Sequence, residues 1–166
     1  APAVTTRPPA SGPAEPRGLD YAEVSADGVQ AMWLVPHGAG PDAVIVALHG
    51  GGFVGGSLYT HRKMYGHLAK AAGVRVLLAT YRLAPQFRYP AQIEDAVTAY
   101  RWAAARTQTV ALAGDSSGGG LAVQVALRQP GAAALLLLSP WIDMDPAQTA
   151  TSYEENAAID LFFTRP

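Results

Sequence analysis

Two glycine-rich stretches in this 166-residue chain carry residue types and spacings that could do chemistry. The first is Val110-Ala111-Leu112-Ala113-Gly114-Asp115-Ser116-Ser117-Gly118-Gly119-Gly120, which contains Gly114-x-Ser116-x-Gly118. A serine on a sharp turn between a buried strand and a helix stands exposed above the sheet, and flanking glycines avoid clashes with both elements. The amides opening the helix favour negative charge developing beside that serine. Ser116 is therefore the candidate nucleophile. The competing reading is a glycine turn that merely ends a strand. The apolar β-run before it and the helical pattern after it are the context a nucleophile requires.

The second stretch is His49-Gly50-Gly51-Gly52-Phe53, directly after the apolar run Ala43 to Leu48. Successive glycines let the backbone approach a ligand closely. Such a loop can offer the Gly51 and Gly52 amides as oxyanion donors, joined by the amide of Ser117. Each donor contributes about 3–4 kcal/mol in a transition state. A flexible loop and a phosphate cradle are the alternatives. The cradle lacks a following Gly-Lys-Ser/Thr and the Gly-x-Gly-x-x-Gly order. His49 is either a general base or a brace for the loop. Its place at the strand end, next to Gly50, favours the brace. Phe53, Val54 and Tyr59 are candidate pocket residues or packing residues. His37, His61 and His67 read as surface or helix-face histidines. No metal-ligand spacing links the four histidines to carboxylates, so no metal is expected.

The elements that must position these loops follow from the pattern. Residues Ala1 to Gly18 are rich in Pro, Ala and Gly and form an extended lead-in. Leu19 to Ser25 and Val29 to Val35 are strands joined at Asp27-Gly28, a pair suited to a tight hairpin turn. Ala43 to Leu48 is a strand covered on both faces. Leu58 to Ala72 is a helix stopped by Gly73, and Val74 to Thr80 a strand. Pro90 to Arg106 is a helix with Ile93, Val97, Tyr100 and Trp102 inward. Thr109 to Ala113 is a strand, Ser117 to Arg128 a helix and Ala132 to Leu138 the last strand. The order predicts an α/β fold: a mostly parallel sheet with helices on both faces, its ligand site beyond the carboxyl ends of the strands.

Apolar residues make up 49% of the chain and charged residues 15%, with a net charge of -1. No basic stripe points to nucleic acid and no acidic run to a solvating tail. The chain has no cysteine, so thiolate chemistry and disulfides are excluded. No apolar run approaches the roughly 20 residues of a membrane span, so no stable membrane insertion is expected. A reducing, cytoplasmic setting fits, although a removed leader would leave the same start at Ala1.

The motifs together resemble the hormone-sensitive-lipase-like family of α/β-hydrolase esterases. His49-Gly50-Gly51-Gly52 and Gly114-Asp115-Ser116-Ser117-Gly118-Gly119 match its pattern. So do Tyr81-Arg82-Leu83-Ala84-Pro85, the helix start Tyr89 to Ala96, and Ser139-Pro140-Trp141-Ile142-Asp143. The resemblance runs from about Leu19 to Asp160. It implies a serine carboxylesterase or lipase, acting without cofactor on a small ester of short to medium chain through an acyl-enzyme. A homodimer of the full-length form is one option. Two departures stand out. Ser117 replaces the usual alanine, where only an amide is needed. Gln86 replaces the usual glutamate and is expected to loosen a local charge network.

The resemblance also implies Ser, then Asp or Glu, then His in chain order, and no histidine follows Ser116. Asp143, Asp145 and Asp160 come too early for the family's acid. The chain is therefore expected to be part of a longer protein. Residues 19–148 would be the N-terminal part of an incomplete hydrolase core, and 149–166 the start of a cap, with the last strands and most of the cap absent. Alone it is expected to be inactive, because a serine without a base keeps its proton. It is also expected to be poorly soluble, through an apolar sheet edge. Two alternatives remain at this point. One is a non-catalytic small-molecule receptor on the same scaffold, resembling the plant gibberellin receptors. The other is an amide or formamide hydrolase.

Overall fold

The structure is a computed structural model that describes residues 14–143. The expectations for Ala1 to Pro13 and for the segment 149–166, with Asp145 and Asp160, lie outside the described residues. The chain opens with a hairpin of β1 (Leu19–Ala26) and β2 (Val29–Pro36). Asp27 and Gly28 both take positive φ, 51° and 93°, as a two-residue turn of this hand requires. There follow β3 (Ala43–Leu48), α1 (Leu58–Ala72), β4 (Arg75–Ala79), α2 (Ala91–Ala104), β5 (Thr109–Asp115), α3 (Ser116–Arg128) and β6 (Leu135–Leu138).

The sheet order is β1-β2-β4-β3-β5-β6. β1, β2 and β4 pair antiparallel in turn, and β4, β3, β5 and β6 run parallel. β3 is thus central, with Ala47 opposite Leu78 on one side and Ala113 on the other. Val46, Leu48, Leu77 and Leu112 are fully buried, each stabilising the fold by about 1.5–3 kcal/mol. One face packs under α2 and α3 through Ile93, Tyr100, Trp102, Leu121 and Val125. The other packs under α1 through Leu58, Tyr65 and Ala69. Helices lie on both faces, as the alternating pattern predicts.

Besides one-residue shifts in β1, β2 and α3 and the extension of β5 to Asp115, three elements differ from the sequence reading. β4 starts at Arg75 because the Val74 amide donates to the Ala69 carbonyl at 3.2 Å. That bond caps α1 beside left-handed Gly73 (φ 65°) and takes Val74 out of the ladder. α2 begins at Ala91, with Pro90 as its cap, and ends at Ala104. β6 is only four residues long, and the chain reaches it through Ala133 and Ala134, which already bond Val110 and Leu112. Leu135, Leu136 and Leu138 of β6 remain 40–45% exposed, which is the apolar edge the sequence predicts. Among the described residues no helix is long and apolar enough to cross a membrane.

Candidate active site

β5 ends at Asp115, and α3 begins at once with Ser116. Ser116 has φ 50°, a left-handed conformation that costs a non-glycine residue roughly 1–2 kcal/mol. The strain persists because packing fixes the turn on all sides. A Cβ on Gly114 would collide with the Gly118 carbonyl. A Cβ on Gly118 would collide with the carbonyls of Leu48 and His49 at the end of β3. A Cβ on Gly119 would come within 2.8 Å of Pro140, and the Trp141 amide donates to the Ser116 carbonyl at 2.9 Å. The Ser-Pro-Trp segment therefore clamps the turn from the far side.

The same contacts bring the two glycine-rich stretches together. Gly118 abuts the carbonyls that open the His49 loop, and Ser117 is fully buried. Gly51 and Gly52 take φ 127° and 61°, and the Gly51 carbonyl accepts the amides of Val54 and Gly55. The loop is thus a compact turn at the carboxyl edge of β3.

His49 is buried. Its Nδ1 lies 2.8 Å from the Gly50 carbonyl, so that nitrogen carries the proton. Its ring stacks on Tyr81 at 4.5 Å, and the Tyr81 hydroxyl donates to the His49 carbonyl at 2.7 Å. Burial holds the His49 pKa below the ordinary histidine value, and the nearby His61 lowers it further. His49 is therefore a neutral donor inside the loop. Burial pushes the Tyr81 hydroxyl up to about 12, so it remains a donor.

Asp115 was not among the residues the sequence singled out, yet it joins the two stretches. Its Oδ1 accepts the Gly50 amide at 3.0 Å and the Tyr65 hydroxyl at 2.8 Å. Its Oδ2 lies 3.4 Å from Nε2 of His61. Burial alone would raise its pKa, but the donors His61, Tyr65 and Gly50 together hold it below the usual carboxylate value. His61, read from sequence as a surface or helix-face residue, faces inward with its side chain 19% exposed. The spacing Leu58, His61, Tyr65, Ala69 was the available signal, since it follows one face of α1.

The candidate pocket residues separate. Phe53 is half-buried between Tyr81 and Trp141, with ring centroids 6.3 and 5.7 Å away. Val54 is exposed. Tyr59 is exposed and donates to Glu23 of β1, away from the glycine turn. Gln86 is exposed, and the nearby charge network closes without it. Arg82 is held by both oxygens of Asp95 and by Glu94. Among the described residues no His, Asp or Glu group could hold a metal ion. None of the described histidines hydrogen-bonds Ser116. His37 pairs with Asp20, His49 with Gly50, His61 with Asp115 and His67 with the Ala14 carbonyl.

A serine on a strained strand–helix turn, packed against a glycine loop, defines the class of nucleophilic α/β hydrolases. Residues 45–166 match the alpha/beta hydrolase fold family. The chain belongs to that family, within its hormone-sensitive-lipase-like branch. It is 44% identical to an acetyl-hydrolase of Streptomyces hygroscopicus over 69% of this chain and 40% of that protein. It is also 44% identical to an ethyl acetate hydrolase of Pseudomonas putida, over 51% of this chain and 29% of that protein. A crystal structure of an esterase from the bacterial hormone-sensitive lipase family superposes with a TM-score of 0.79 at 46% identity. That likeness covers 89% of this chain and 52% of the other. The chain spans about half the length of the curated relatives it matches.

Proposed function

We propose that this chain carries the nucleophile and oxyanion donors of a serine carboxylesterase acting on short- to medium-chain esters. Ser116 attacks the ester carbonyl, the tetrahedral adduct expels the alcohol to leave an acyl-enzyme, and water then releases the carboxylic acid. The Gly51, Gly52 and Ser117 amides hold the oxyanion, while His49 and Gly50 brace the loop. A base outside the described residues takes the Ser116 proton. The observation that carries this reading is the positive φ of Ser116 on a turn whose Gly118 is packed against the end of β3. The relatives' names, acetyl-hydrolase and ethyl acetate hydrolase, support a short acyl group. The test is hydrolysis of p-nitrophenyl esters from acetate to dodecanoate by the whole protein. Turnover is expected to be highest for acetate to hexanoate and to vanish in Ser116→Ala. Undiminished turnover in that variant would sink the reading. The 166-residue chain alone is expected to show no turnover.

A further inference from the structure

One carboxylate spans the two halves of the site, and its orientation matters. Oδ1 of Asp115 faces the first glycine amide of the oxyanion loop, and the next residue is Ser116. A carboxylate rotates readily about its last bond unless both oxygens are engaged. Tyr65 offers a single hydroxyl proton, and the Leu48 carbonyl competes for it at 3.0 Å. The group that engages the second oxygen is His61, from the first turn of α1.

The surroundings of His61 decide which of its nitrogens faces the carboxylate with a proton. Its Nδ1 lies 2.8 Å from Oγ1 of Thr60. That hydroxyl belongs to the capping box of α1: it accepts the Ser57 amide at 2.9 Å and lies 3.0 Å from the Ser57 carbonyl. If the Thr60 proton goes to Nδ1, the neutral ring carries its own proton on Nε2. If it goes to the Ser57 carbonyl, Nδ1 donates to Thr60 and the neutral ring turns a lone pair toward the carboxylate. The closeness of Nε2 to the Asp115 oxygen favours the first arrangement, which aims an Nε2–H at Asp115. The carboxylate packs directly over Gly50, where an added Cβ would collide with its Oδ2.

We propose that His61 is a positioning residue. Oriented by Thr60, it locks the Asp115 carboxylate so that the Gly50 amide, and with it the oxyanion loop, is held in register with Ser116. The role rests on the esterase reading for its kinetic consequence, but not for its structural one.

The experiment compares wild type, His61→Ala and His61→Gln in the whole protein. Gln keeps an amide donor near the position of Nε2. Three quantities are read: hydrogen exchange across residues 48–56, the separate kcat and KM values for p-nitrophenyl butyrate, and the melting temperature. His61→Ala is expected to speed exchange at Gly50 and to lower kcat about tenfold, with KM within twofold. His61→Gln is expected to restore most of both. Unchanged loop exchange in His61→Ala would overturn the inference. So would equal losses in Ala and Gln variants that track the melting temperature, since that is a purely structural effect. If the wild type hydrolyses no ester, the esterase reading fails, and the exchange contrast still decides whether His61 holds the loop.

Discussion

The two glycine-rich stretches are built by different means. The turn at Ser116 is fixed by hard contact: Gly114 and Gly118 each face backbone atoms so closely that no Cβ fits. The loop after His49 is close-packed too at Gly50, Gly51 and Gly56, but it is tied in addition by polar side chains from other elements, namely Asp115, Tyr65 and Tyr81. Gly52 has no atom within 4 Å of where a Cβ would stand. On the proposed reading, the strained serine is wedged in place, while the loop that would hold the oxyanion is tied through side chains of other elements.

The sharpest way to break this contrast is Gly118→Ala. Its new methyl would meet the Leu48 and His49 carbonyls, which belong to the central strand and cannot move aside. Overpacking of this kind costs about 3 kcal/mol or more. Little soluble protein, or a large fall in the urea midpoint, is expected. A fall of less than about 1 kcal/mol would mean that the turn is not wedged.

Asp115→Ala tests the tied half. It leaves the Gly50 amide and the Tyr65 hydroxyl without their carboxylate, at about 1–3 kcal/mol for an unsatisfied buried group. Faster exchange across residues 48–56 is expected, while the α3 amides stay protected. Equal loosening of both segments would show that the two halves are not held separately.

Acid should loosen the tied half as well. The native His49 pKa lies below its unfolded value, so the unfolded chain binds the proton more readily. Stability is expected to be flat above about pH 6.5 and to decline below it. Asp115 behaves in the complementary way: its contribution is complete above its unfolded value of about 3.9 and fades as pH falls through the lower native value. Melting temperatures from pH 8 to pH 2 would show the decline. His49→Gln should remove the part that begins near neutrality.

The smallest effect is expected from Gly52→Ala. There is room for the methyl, and the cost is confined to its φ of 61°, roughly 1–2 kcal/mol. A loss as large as that from Gly118→Ala would erase the distinction between the halves.

The same contrast explains what the sequence made legible. Local signals carried the hairpin at Asp27-Gly28, the bounds of β3 and α1, and the glycines around Ser116, because each depends on neighbours in the chain. The network around Asp115 depends on sheet order. Tyr65, Tyr81 and Asp115 meet only because β3 lies between β4 and β5, and no local pattern encodes that meeting. His61 lies between the two cases. Its spacing from Leu58, Tyr65 and Ala69 marked the buried face of α1, yet only the partner across the sheet shows what it does there.

The central claim is that Ser116 is the nucleophile, and the most direct test is covalent. The whole protein would be treated with a fluorophosphonate probe and the labelled peptide located by mass spectrometry. One label on the peptide containing Ser116, absent in Ser116→Ala, is the predicted result. Labelling that persists in that variant, or a label on any other residue, would contradict the claim.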